Sequence, residues 1–151
     1  MRKIIFFILL FAVGANAQAQ MTAEQEKKML RAVGGLSAAY LYNAYSSIGS
    51  VADGFSGGVY TEKETTDILD NQKQMCNNLI KMLNELIDEK VLNDQLDVDF
   101  MKTTIGIVNG LKNQAQYYED YISNKNDDRK NKYDDQRKEN WKGISKILGL
   151  E

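Results

Sequence analysis

Asp94, Asp97 and Asp99 bring three carboxylates into six residues, the kind of oxygen cluster from which a calcium loop is made. Such a loop also needs a glycine at its sixth position and a bidentate glutamate at its twelfth. Counted from Asp94, those positions are Asp99 and Ile105, so the cluster reads as helix capping. Asp127-Asp128 and Asp134-Asp135 fail the same requirement, and Lys130, Lys132, Arg137 and Lys138 beside them would repel a cation. Glu62, Glu64, Glu85 and Glu89 invite comparison with di-metal carboxylate bundles. Those sites draw on Glu-x-x-His motifs, and the chain has 0 histidines. The same absence removes imidazole acid–base chemistry and most zinc and haem ligand sets. Cys76 is the 1 cysteine, so an internal disulfide is excluded. It reads as a small buried hydrophobe, with an intermolecular disulfide as the alternative. No serine has a base beside it other than lysine, and no phosphate loop or nucleophile elbow occurs. The expectation is a non-enzymatic protein without metal or cofactor.

Two other patterns suggest recognition. Val33 to Tyr60 carries a single charge, Asp53, and includes Tyr40, Tyr42 and Tyr45. Its glycines, serines, tyrosines and asparagine make it too polar for a membrane span. It reads either as the most enclosed helix of the fold or as a helix whose outer face meets a partner, a role suited to amphipathic tyrosines. Gly106-Ile107-Val108-Asn109-Gly110 has the Gly-x-x-x-Gly spacing that lets helices approach closely, here against Gly35 and Ala39, also four apart. Alternatively, small residues around Gly34, Ala38, Gly106 and Gly110 would leave room for a small apolar ligand between helices. The candidate interaction or cavity face is therefore Tyr40, Tyr42, Tyr45, Gly106 and Gly110.

The elements that position these residues follow from periodicity. Apolar residues recur at gaps of mostly three or four in Leu30, Val33, Leu36, Tyr40, Leu41, Ala44, Ile48, Val51 and Phe55. Thr22 and Gln25 have capping-box spacing at the start of this segment. The Gly34-Gly35 pair costs about 1 kcal/mol per glycine in a helix interior and predicts a kink or a close packing contact. Gly54 to Gly58 reads as a loop. Thr61 and Glu64 then form a second capping box. Behind it Ile68, Leu69, Cys76, Leu79, Ile80, Leu83, Leu86 and Ile87 make an apolar stripe, with Gln72 as its polar interruption. Asn93-Asp94 is the next turn. Leu96, Phe100, Thr104, Ile107, Leu111, Ala115, Tyr118 and Ile122 form the cleanest helical period. A turn at Ser123–Asn126 precedes a charged heptad pair in which Asp128 and Lys132, and Asp134 and Lys138, are four apart. Trp141, Ile144, Ile147 and Leu148 resume the apolar seam, and Gly149 is a natural stop. With 0 prolines to break them, four long helices are expected over roughly 22–53, 61–91, 94–122 and 126–148. Short connections between them imply an all-α, up-down-up-down four-helix bundle.

The first residues read as an address. Arg2 and Lys3 precede the apolar run Ile4 to Val13, and Ala15-Asn16-Ala17 and Ala17-Gln18-Ala19 supply Ala-x-Ala cleavage sites. A cleaved signal peptide over 1–19 is expected, with the single bundle domain over 20–151, in a periplasmic or extracellular protein. The net charge of −2 becomes −4 once Arg2 and Lys3 are removed, leaving 17 bases against 21 acids. That balance disfavours nucleic acid as a partner. It is uneven: Met21–Ile122 holds 9 bases and 15 acids, Ser123–Glu151 8 bases and 6 acids. The basic final segment is expected to lie against acidic faces of the fold. The functional expectation is a protein-interaction or structural module, binding itself or another protein. A carrier or sensor of a small apolar ligand is the alternative.

Overall fold

The computed structural model describes residues 22–89, 92 and 94–150. They form four α-helices, with no strand among the described residues: α1 Ala23–Ser56, α2 Glu62–Asp88, α3 Gln95–Asn124 and α4 Asp127–Leu148. Each boundary lies within three residues of its expectation. The expected leader over 1–19 lies outside the described residues.

The chain divides into two compact units, Met1–Val33 and Gly34–Glu151. In the first, the described residues begin with the Thr22 capping box. The Thr22 N–H donates to Gln25 Oε1 at 2.9 Å, and the Gln25 N–H donates to Thr22 Oγ1 at 3.3 Å. A surface pair between Lys28 and Glu24 follows at 2.8 Å.

The second unit carries the bundle. Tyr40 meets Cys76 and Ser47 meets Gln72, so α1 and α2 run antiparallel. Gly110 lies against Asn140 and Gly143 against Ile107, so α3 and α4 also run antiparallel. Gly34 against Phe100 and Ala52 against Tyr118 show α1 and α3 running the same way. Trp141 beside Tyr42 and Arg137 beside Gly49 close the circuit from α4 back to α1. This is the up-down-up-down arrangement.

The core is the set of residues that helical periodicity turns inward. Leu41, Ala44, Ile48 and Val51 of α1 meet Leu69 and Cys76 of α2, Val108, Leu111, Ala115, Tyr118 and Ile122 of α3, and Tyr133 and Ile144 of α4. Tyr118 ties the far end together. Its hydroxyl donates to the Ala52 carbonyl at 2.7 Å and lies 3.0 Å from Ser56 Oγ. Its ring packs 4.8 Å from that of Tyr133 and edge-on to Phe55.

Two expectations about the stripe are corrected. Leu36 of α1 and Leu96 of α3 fit the period, yet both stand in solvent. Leu36 sits at the edge of the apolar arc, where a small rotation decides whether a side chain is covered. Leu96 is in the first turn of α3.

The ends of the helices follow side-chain chemistry. At α2 the Glu64 N–H donates to Thr61 Oγ1, and the Thr61 N–H donates to the Glu64 carboxylate at 2.9 Å. Asp94 caps α3 through the Leu96 N–H at 2.9 Å, and Asn126 caps α4 through the Asp128 N–H at 2.7 Å. Gly149 ends α4 in the left-handed conformation at φ 67°. Gly54 does not end α1. The Gly57 N–H still bonds the Asp53 carbonyl at 2.8 Å, and the chain turns only at Gly58, at φ 73°. The charged heptads pair differently from expectation. Lys130 meets Asp134 at 2.9 Å and Lys138 meets Asp135 at 3.1 Å, in place of Asp128–Lys132 and Asp134–Lys138. Of the basic final helix, Arg129 reaches an acid on another element, Asp120 of α3, at 3.3 Å.

Candidate interaction surface

Tyr42 and Tyr45 lie on the side of α1 that faces α4, where Trp141 meets both. The ring centroids are 6.5 Å apart for Tyr42 and Trp141 and 5.5 Å for Tyr45 and Trp141. Arg137, one turn before Trp141, places its guanidinium 5.8 Å above the Tyr45 ring. It fits there because Gly49 leaves α1 bare: a Cβ at that position would stand 3.3 Å from the Arg137 Nη2. Tyr45 is half-buried by this packing, and Tyr42 and Trp141 remain exposed.

The outward face of α1 continues from there. Gly35, Leu36, Ala39, Tyr42, Asn43 and Ser50 are all exposed, and none carries a charge. From Val33 to the end of the helix, Asp53 is the one charge on this face. A helix that shows solvent such a face departs from the charged outer surface of ordinary amphipathic helices. Of the two expectations for α1, enclosure is therefore corrected: α2 and α4 flank it and α3 lies behind it, but its outer side is open.

The register set by Tyr40–Cys76 and Ser47–Gln72 puts Leu36 level with Met82 of α2, and Asn43 level with Met75. Both methionines lie on the α1 side of α2, on the arc that carries Gln72 and Leu79, and both point to solvent. Large apolar side chains thus recur across three helices, with exposures of 61% at Met82, 71% at Leu36, 46% at Tyr42 and 39% at Trp141.

The other candidate residues go elsewhere. Tyr40 is half-buried toward α2, and its hydroxyl donates to Cys76 Sγ at 3.7 Å. Burial pushes both the phenol and the thiol up from their ordinary ranges. Gly106 is exposed with open space around it, as is Gly35, so the expected close approach of Gly106-x-x-x-Gly110 to Gly35 and Ala39 does not form. Gly110 is buried, but its neighbour is α4: a Cβ there would collide with the Asn140 side chain. A Cβ at Gly34 would stand 3.8 Å from the Phe100 ring. These small residues therefore do not line a common space.

Two polar features lie inside. The Asn140 Nδ2 donates to Gln114 Oε1 at 2.8 Å, and Gln136 Nε2 donates to Asn140 Oδ1 at 3.0 Å, making an amide relay over Gly110. Gln114 Nε2 and the Tyr133 hydroxyl are buried and interact with one another outside ideal hydrogen-bond geometry, and burial pushes the Tyr133 phenol up to about 12. At the α2–α3 seam, Lys73 binds Glu119, Asp70 at 2.9 Å and Gln116 at 3.0 Å. The second oxygen of Glu119 has no partner. Burial outweighs the Lys73 contact and holds the Glu119 carboxyl above the usual carboxylate range. Burial works against the charge on Lys73 too, but its bonds to Glu119 and Asp70 win, and the ammonium stays raised. The pair joins two helices. Among the described residues no group of three or more histidine, cysteine, aspartate or glutamate side chains could hold a metal ion.

Sequence reasoning found Tyr42 and Tyr45 but assigned Trp141 to the buried seam, and gave Met75 and Met82 no role. The stripe of α2 did contain a signal: Met75 and Met82 are seven apart and sit just beside it. No helix among the described residues is long and apolar enough to cross a membrane. Comparison of the chain with protein-family models, curated proteins and solved structures finds no significant match.

Proposed function

We propose that this is an exported protein-interaction module that binds through the outer face of α1 and its aromatic border with α4. One observation carries the reading: the exposed side of α1 from Gly35 to Ser50 has no charge and displays Leu36 and Tyr42 beside Trp141. Aromatic side chains give large contact area at a small entropic cost, and Tyr45 and Arg137 hold this cluster from beneath. Export rests on the charged start, apolar run and Ala-x-Ala sites of residues 1–19. The small-ligand alternative has no comparable support, because Gly34, Gly106 and Gly110 face different surroundings.

Site-directed photo-crosslinking tests the binding face in the producing cell. A photoreactive residue at Ala39 should give a discrete higher-mass adduct, and one at exposed Lys102 of α3 should not. Equal adducts at both positions, or none at Ala39, would sink the proposal. N-terminal sequencing of protein from the cell envelope or medium tests export, with a start after Ala17 or Ala19 expected and a start at Met1 excluding it.

A further inference from the structure

Burial sorts the sulfur atoms of the bundle into two classes. Cys76 has none of its surface exposed and Met101 only 2%, whereas Met82 and Met75 of α2 stand open to solvent at 61% and 49%. Met29 is exposed as well, but it belongs to the first compact unit. Burial pushes the Cys76 thiol up from its ordinary range, so little thiolate forms to meet an oxidant. A thioether has no proton to lose and needs only access. Met75 and Met82 are seven residues apart, close to two helical turns, so they share one side of α2 about 10 Å apart along its axis. That side lies away from Leu69, Cys76 and Leu83, the apolar residues that α2 buries.

We propose that Met75 and Met82 form a reversible oxidation site for hydrogen peroxide, which turns the outer arc of α2 from apolar to polar while the bundle stays folded. At each residue the thioether sulfur gives an electron pair to one peroxide oxygen. The S–O bond forms as the O–O bond breaks. The departing oxygen takes the proton shed by the transferred one and leaves as water. Sulfur is thus oxidised to the sulfoxide and the peroxide is reduced. The sulfoxide oxygen is a hydrogen-bond acceptor, which disrupts a core but is hydrated at an exposed position. Exposure also lets a thiol-driven sulfoxide reductase reach the side chain and restore it. This chemistry does not depend on the binding role proposed for α1.

Peptide mapping of the full-length protein after mild peroxide treatment tests the site. Trypsin separates the sulfurs, because Lys73, Lys81, Lys90 and Lys102 place Met75, Met82 and Met101 in different peptides. The Met75 and Met82 peptides should each gain one oxygen at least about tenfold faster than the Met101 peptide, whose reaction waits for the fold to open. Fragment ions should place the oxygen of the first peptide on Met75 and leave Cys76 unmodified. The oxidised protein should keep its circular dichroism and elute earlier from a hydrophobic-interaction column. Both sulfoxide reductases together, with a thiol reductant, should reverse the earlier elution. The Met75→Leu/Met82→Leu variant changes only exposed positions and should elute alike before and after peroxide. Equal rates at Met101 and Met82, or loss of helix on oxidation, would overturn the proposal. So would an elution shift that persists in the double leucine variant, or sulfoxides that the reductases leave in place.

Discussion

Gly110 is a residue whose importance comes from a missing atom. Asn140 lays its amide over the bare α3 backbone there, and from that position it reaches Gln114 and accepts from Gln136. Gly110→Ala should therefore destabilise the fold by about 1–3 kcal/mol, as overpacking does, despite the better helix propensity of alanine. Thermal unfolding followed by circular dichroism would show it. Asn140→Ala made together with Gly110→Ala should cost less than the two changes summed, because the collision disappears with the amide. Glu119 gives a second test at this scale. Its folded pKa is raised, so the folded state holds its proton more tightly than the unfolded chain does. The stability this provides is full below the unfolded value of about 4.3 and is lost as pH rises through the folded value. Urea unfolding should accordingly show wild-type stability falling relative to Glu119→Gln between acid and neutral pH. A constant difference would mean that Lys73 fully compensates the burial.

Among the elements, α2 shows how local chemistry sets a boundary. Thr61 and Glu64 satisfy each other's backbone N–H groups where Val59 and Tyr60 give no regular structure. Thr61→Ala should lower stability by about 1 kcal/mol, read as a shift of the urea midpoint at unchanged slope. Caps and periodicity were readable in the sequence because they depend on neighbours three and four residues away. Thr22, Thr61, Asp94 and Gly149 accordingly stand where they were expected. What required three dimensions was the choice of partner between helices. Gly106-x-x-x-Gly110 specifies that some element comes close, yet only the rotation of α3 shows that Gly110 faces α4 and Gly106 faces solvent. The candidate tyrosines divide for the same reason: about 200° of helix rotation separates Tyr40 from Tyr42, which sends one toward Cys76 and the other toward Trp141. Trp141 fits a buried stripe as well as an exposed border, so its role emerged only with α1 beside it.

For the molecule as a whole, the residues that hold the bundle are distinct from those proposed to use it. Leu41 is fully buried and Leu36, five residues earlier on α1, is exposed. Leu41→Ala should cost about 2–5 kcal/mol. Leu36→Glu should change stability by no more than about 0.5 kcal/mol and affect binding instead. Denaturant titration of both variants checks this separation; a large loss from Leu36→Glu would show the face to be part of the core. Charge follows a similar division. The acids and bases of α4 pair mainly within the helix, as Lys130–Asp134 and Lys138–Asp135 do, which leaves the fold dependent on its apolar interior.

Cys76 lies in that interior with none of its surface exposed, held by the Tyr40 hydroxyl. A thiol reagent can reach it only when α1 and α2 part. The labelling rate is then the fraction of time spent open multiplied by the rate for a free thiol. The chain thus contains its own clock for breathing. A ligand that spans the α1–α2 groove should slow that clock, whatever its identity.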